Sequence, residues 1–127
     1  MIMSKDEDRR CRQVAELFRP FLEETGDWCV VRSEQFGYIV LSYYVNGRFE
    51  DNNIFDNAKD LFDFLLDHWR FRWLYLKSKE NEVAEYEDYE KNLTKEQREE
   101  REKTLLEYKN VFEDIKRQKC SEFCQII

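Results

Sequence analysis

The sequence predicts an α+β fold: an N-terminal helix, a three-stranded antiparallel meander, then two long helices forming a C-terminal helical hairpin (α-β-β-β-α-α). Three observations predict it. The stretch from Asp56 to Leu76 contains no Gly, Pro or β-branched residue, so nothing in it resists an α-helix. From Trp28 to Val45 the pattern changes to the β-branched and aromatic residues that suit a pleated surface. Thr94-Lys95-Glu96-Gln97 is a capping box, and it opens a final charged amphipathic helix.

Taken in order, Ser4 followed three residues later by Glu7 is a first capping box. Cys11, Val14, Leu17, Phe18, Phe21 and Leu22 then mark one apolar helical face. Pro20 removes the bond to the Glu16 carbonyl and is expected to kink or split this helix. Gly26 is a suitable C-terminal stop. Trp28 to Ser33 reads as a strand, Glu34 to Gly37 as a turn, and Tyr38 to Val45 as the strongest strand, at the sheet centre. Asn46-Gly47 signals a type I′ hairpin, which requires positive φ at both positions. Arg48-Phe49-Glu50 begins a weak third strand that Asp51-Asn52-Asn53 ends.

Asp56 and Asn57 are both N-cap candidates for the central helix. Leu61, Phe62, Leu65, Leu66, Trp69, Trp73 and Leu76 form its stripe, and Phe64, Phe71, Leu74 and Tyr75 make the second half apolar nearly all round. Such a helix must be covered on more than one side. Beyond Leu76 the sequence turns polar, with a thin seam at Leu76, Val83, Tyr86 and Leu93. A helix running unbroken from Asp56 to Lys91 would be roughly 54 Å long, against a compact-domain diameter of about 36 Å. With no Gly or Pro to force a break near Ser78 to Asn81, projection or a mild kink is expected. The last helix carries its seam at Leu105, Tyr108, Phe112 and Ile115, with Leu106 and Val111 beside it.

The chain of 127 residues is read as one domain, 1–127, with a core over 1–76 and a charged helical hairpin extension over 77–127. An apolar content of 42% is too rich for a disordered chain. Asp and Glu outnumber Lys and Arg by 28 to 21, for a net charge of −7. That balance disfavours direct nucleic-acid binding, which needs a basic patch, and favours basic surfaces on other proteins. The start of the chain turns acidic without an apolar leader segment, and no apolar run approaches the ~18 residues of a membrane helix. The expectation is a cytoplasmic protein that does not engage a membrane, with Cys11, Cys29, Cys120 and Cys124 reduced.

Chemistry is sparse. The chain has one histidine, His68, and its neighbour Asp67 does not share its helical face. His68 reads as a half-buried structural residue. Cys120 and Cys124 are spaced i, i+4 and with Cys11, Cys29 or His68 could assemble a zinc site, although the spacing is not that of a zinc knuckle. Cys124-Gln125-Ile126-Ile127 has the bare shape of a prenylation box, with Lys116, Arg117 and Lys119 upstream. The alternative is an apolar tail that folds back, helped by Phe123. Phosphate loops, zinc helices of the HExxH type and nucleophile elbows are absent from the sequence. The expectation is a non-enzymatic protein without a cofactor.

One stretch stands out. Between Glu80 and Glu90 lie six acids and no base: Glu80, Glu82, Glu85, Glu87, Asp88 and Glu90, interleaved with Tyr86 and Tyr89. On a helix these carboxylates would repel one another, and folding gains nothing obvious from them. They could be a solvated face partly neutralised by Lys91, Arg98 and Arg101. The functional reading is a row of carboxylates spaced like phosphates, with tyrosines able to stack on arginine, that seats in a basic nucleic-acid channel of a partner.

This acidic chain, with its order of elements and its Glu85-Tyr86-Glu87-Asp88-Tyr89-Glu90 stretch, resembles small phage-encoded anti-CRISPR inhibitors of Cas9. The resemblance implies a non-enzymatic protein that occupies the DNA-binding surface of its target. The α-β-β-β-α order is also similar to the double-stranded-RNA-binding domain. That family carries a basic cluster at the start of its last helix, where this chain has Asp56-Asn57-Ala58-Lys59-Asp60. The expected function is therefore an acidic protein-binding module, an inhibitor that blocks a basic surface through Glu80 to Glu90. Two alternatives stand beside it. One is an assembly protein, such as a homodimer, that self-associates through the hairpin; the other is a small enzyme or metal protein centred on His68 and the cysteines.

Overall fold

The computed structural model describes residues 4–24, 28–33, 39–45 and 47–118. Three helices dominate: α1 (Lys5–Glu24), α2 (Ala58–Glu80) and α3 (Lys95–Arg117). Strands β1 (Trp28–Ser33), β2 (Ile39–Val45) and β3 (Arg48–Phe55) form an antiparallel sheet in the order β1-β2-β3. Gly26, the turn at 34–37, Tyr38, Asn46 and the tail with Lys119, Cys120 and Cys124 lie outside the described residues.

The start of α1 is capped by Ser4, whose Oγ accepts from the Glu7 backbone N–H at 3.0 Å. Glu7 does not complete the box that the sequence predicts. Its carboxylate accepts instead from the Ala58 N–H at the start of α2, 2.6 Å away, and from Arg10. A carboxylate gains more from the exposed N–H groups and positive end of a second helix. Pro20 does not split α1, which is continuous to Glu24. Glu16 and Pro20 both lie on the exposed face, where water can take the released carbonyl.

The register pairs Val31 with Leu41 and Leu41 with Asn53. Between Tyr43 and Tyr44 it shifts, since Tyr43 opposes Asp51 while Tyr44 opposes Phe49. Glu50 is thus the extra residue of a bulge. At the hairpin Gly47 has φ +77°, the conformation glycine adopts without steric cost. β3 does not end at Asp51-Asn52-Asn53 as expected but continues to Phe55. It is an edge strand with mostly exposed side chains, so polar residues are tolerated there. Asn52 also accepts a 2.7 Å bond from the hydroxyl of buried Ser42 on β2.

α2 is capped by Asn57, whose side chain accepts from the Asp60 N–H at 2.8 Å. Leu61, Phe62, Leu65, Leu66, Trp69 and Trp73 are buried between α1 and α3. Phe62 stacks on Phe112 of α3 at 4.2 Å, and Phe18 of α1 stacks on Tyr108 at 4.6 Å. The paired positions show that α3 runs antiparallel to α2: Lys77 meets Glu100, Trp69 meets Tyr108, and Phe62 meets Phe112. The sheet joins through β1 against α1 and β3 against α2, where Phe55 and Phe64 touch.

Two expectations change. Among the described residues, 77–118 are not simply an extension of a core that ends at residue 76, because Leu93, Leu105, Phe112 and Ile115 sit in the same buried cluster as Phe18 and Leu65. The hairpin partner of α3 is the aromatic central helix itself. Nor does that helix project or kink, for it stops at Glu80. Its second half is also not covered all round, since Phe71 and Leu76 remain exposed.

Candidate functional site: the acidic connection between α2 and α3

Helix-to-helix connections in bundles usually take about 2–8 residues. Here residues 81–94 intervene between Glu80 and Lys95. Connections of this length are uncommon in compact domains and are usually either functional or linker segments, and this one is held in place by specific bonds.

The helix ends in a Schellman arrangement. The Val83 N–H reaches back to the Ser78 carbonyl at 2.8 Å, and the Glu82 N–H to Lys79 at 3.1 Å. Glu82 takes φ +60°, the left-handed region, with no glycine there to favour it. Asn81 fixes the geometry by donating from its side chain to the Asn92 carbonyl at 2.9 Å and to Gln97 at 3.0 Å. Gln97 in turn completes the capping box with Thr94. Ser78 is fully buried and bonds its hydroxyl to the Tyr75 carbonyl at 2.6 Å.

The six acids therefore do not lie along one continuous helix, as the sequence leads one to expect: Glu80 ends α2, and the other five lie on this connection. Glu80 closes α2 and pairs with Lys77 at 3.6 Å. Glu82 occupies the left-handed corner. Glu85 precedes a single 3-10 turn formed by Tyr86, Glu87 and Asp88, and the Tyr89 N–H bonds to the Tyr86 carbonyl. Asp88 anchors the return through its carbonyl, which accepts from the backbone and side chain of Asn92. Glu90 faces inward to α3. Both its oxygens meet Arg101 at 2.6 Å, and Arg98 adds a contact at 3.2 Å. The Arg101 hydrogen bond holds the Glu90 carboxyl below its usual range, with the charges of Arg101 and Arg98 adding to it. Arg101 also lies over the Trp73 ring, 5.7 Å from its centroid.

The neutralisation read from the sequence is thus concentrated. Arg98 and Arg101 converge on Glu90, while Glu82, Glu85, Glu87 and Asp88 make no ion pair among the described residues. Lys91 makes none there either. Glu85, Glu87 and Asp88 share their turn with an exposed aromatic side chain. Tyr86 is 61% exposed, with its ring 5.4 Å from Tyr89 and 6.0 Å from Phe71 of α2. Phe71, itself 57% exposed, is the member that the sequence reading assigned to the core. A helical projection carries the correction, because Phe71 is two residues from both Trp69 and Trp73 and points away from their buried seam. The nearby recess lined by Tyr75, Lys79, Glu82, Val83, Ala84 and Tyr89 holds a cation of its own, with Lys79 Nζ 5.1 Å from the Tyr75 ring centroid.

Of the residues of the metal alternative, Cys120 and Cys124 lie outside the described residues. His68 is half-buried, its ring packed edge-on to Phe21 with the centroids 5.5 Å apart. Cys11 is fully buried and its thiol is pushed up to about 12, chiefly by burial. Among the described residues no group of three or more His, Cys, Asp or Glu side chains is placed to hold a metal ion. No described helix is long and apolar enough to cross a membrane. Comparison of the chain with family models, with curated proteins and with solved structures gives no match.

Proposed function

We propose that this protein is a non-enzymatic binding module whose 81–94 connection docks on a cationic surface of a partner protein, as an inhibitor competing with nucleic acid for that surface. The observation that carries this reading is the set of four carboxylates, Glu82, Glu85, Glu87 and Asp88, without an ion pair among the described residues, on a connection braced by Asn81, Gln97 and the Glu90 clamp. Bracing lowers the ordering cost of association. Unpaired surface carboxylates speed encounter with a basic partner and make it sensitive to salt.

Capture from a lysate of the native host tests the proposal, with wild type set against Glu85→Lys/Glu87→Lys/Asp88→Lys. The expected partner is retained by wild type, lost with the triple variant, and displaced by added double-stranded DNA. All three positions lie outside the core, so the variant is expected to keep its circular dichroism spectrum. An identical captured set for the two proteins refutes the reading. Self-association through the α2–α3 hairpin is the second reading, favoured by Leu106 and Val111 exposed on α3. Light scattering that shows a strict monomer at high micromolar concentration removes it.

A further inference from the structure

The connection between α2 and α3 already holds one arginine in a two-sided bracket. The Arg101 guanidinium lies over the Trp73 ring and is gripped by both oxygens of Glu90, and its side chain is only 14% exposed. A planar cation suits this arrangement because one face stacks while the edge donates two parallel hydrogen bonds. The same residue types recur on the outward side of the connection: Phe71, Tyr86 and Tyr89 supply touching rings, and Glu85, Glu87 and Asp88 supply carboxylates in the same turn. Among the described residues no cation is stacked on Phe71, Tyr86 or Tyr89, whereas Tyr75 has both Arg72 and Lys79 against it.

We infer that the Phe71–Tyr86–Tyr89 patch is a docking surface for arginine side chains of a partner protein, selecting arginine over lysine. The inference rests on the proposed docking function and names what that surface recognises. Charge complementarity fixes the sign of the occupant, since three carboxylates flank the patch. The exposed rings fix its type. Lysine offers a compact, strongly hydrated charge, whereas arginine stacks its plane on an aromatic face while its edge reaches a carboxylate. An apolar partner would leave the flanking carboxylates desolvated without a counter-charge.

Fluorescence anisotropy with labelled nona-arginine and nona-lysine peptides, at matched low ionic strength, tests this. Wild type is expected to bind the arginine peptide roughly three- to tenfold more tightly. Phe71→Leu/Tyr86→Leu should lose that preference and keep its affinity for the lysine peptide. Glu85→Gln/Glu87→Gln/Asp88→Asn should weaken both. Proton spectra of the wild type give a readout that needs no variant: the arginine peptide should shift the ring resonances of Phe71 and Tyr86, and the lysine peptide should not. Equal affinity of wild type for the two peptides, a preference that survives loss of both rings, or unshifted ring resonances overturns the arginine assignment alone. If wild type binds neither peptide, the docking function and this inference fall together.

Discussion

Replacing Glu82 tests the point on which the site depends, namely where α2 ends. At φ +60° a residue with a Cβ sits against its own carbonyl, at a cost of roughly 1–2 kcal/mol. Glycine removes that cost but loses roughly 0.5–1 kcal/mol through its greater freedom in the unfolded chain. Glu82→Gly is therefore expected to stabilise the protein by about 0.5–1 kcal/mol, which raises the melting temperature by ~2–4 °C for a chain of this size. Glu82→Ala provides the control. It removes the same carboxylate and keeps the Cβ, so it should remain within about 0.5 kcal/mol of wild type. Paired urea titrations of the three proteins resolve the difference as a shift in midpoint at constant slope. If Glu82→Gly is no more stable than Glu82→Ala, the left-handed corner is not populated. If it is less stable, α2 continues through residue 82, because glycine inside a helix costs about 1 kcal/mol relative to alanine. Either outcome would refute the Schellman ending and the presentation of the carboxylates built on it.

Two further predictions concern the Glu90 clamp and the packing of α3. Glu90 is half exposed, so its clamp is expected to contribute no more than about 1 kcal/mol; because its folded-state pKa is depressed, that contribution is present above its ordinary value of 4.5 and is lost as pH falls through the folded value. Thermal melts from pH 7 to 3 should show wild type converging on Glu90→Gln in acid, and a gap that stays constant with pH would contradict the clamp. Phe112→Ala should cost about 3–5 kcal/mol by opening a cavity beside Phe62, while Leu106→Ala on the exposed side of the same helix should stay within about 0.5 kcal/mol; equal effects in denaturant titrations would show that α3 does not pack as described.

What the sequence revealed was local chemistry. The Asn57 cap, the Thr94–Gln97 box and the seam at Leu105, Phe112 and Ile115 are each written within a few residues, and each is in place. The Ser4–Glu7 box was half legible. Its serine acts as read, but the competitor for the Glu7 carboxylate, the Ala58 N–H, is 51 residues away. The acidic stretch was legible as composition and misplaced as structure. Without Gly or Pro near residue 81, propensity alone carries the helix onward.

By itself the sequence determined that three segments are helical, the main apolar seam of each, and that nearly all the net charge is gathered between Glu80 and Glu90. Those are properties of neighbours along the chain, set by side-chain spacing and backbone preference. Only the tertiary structure decided that α2 stops at Glu80, that Glu90 is withdrawn from the acidic row, and that Phe71 joins Tyr86 at the surface. The reason is physical. The helix is ended by Asn81 bonding to Asn92 and Gln97, and Glu90 is claimed by Arg98 and Arg101. These bonds exist only once α3 has folded back along α2, so no local propensity contains them.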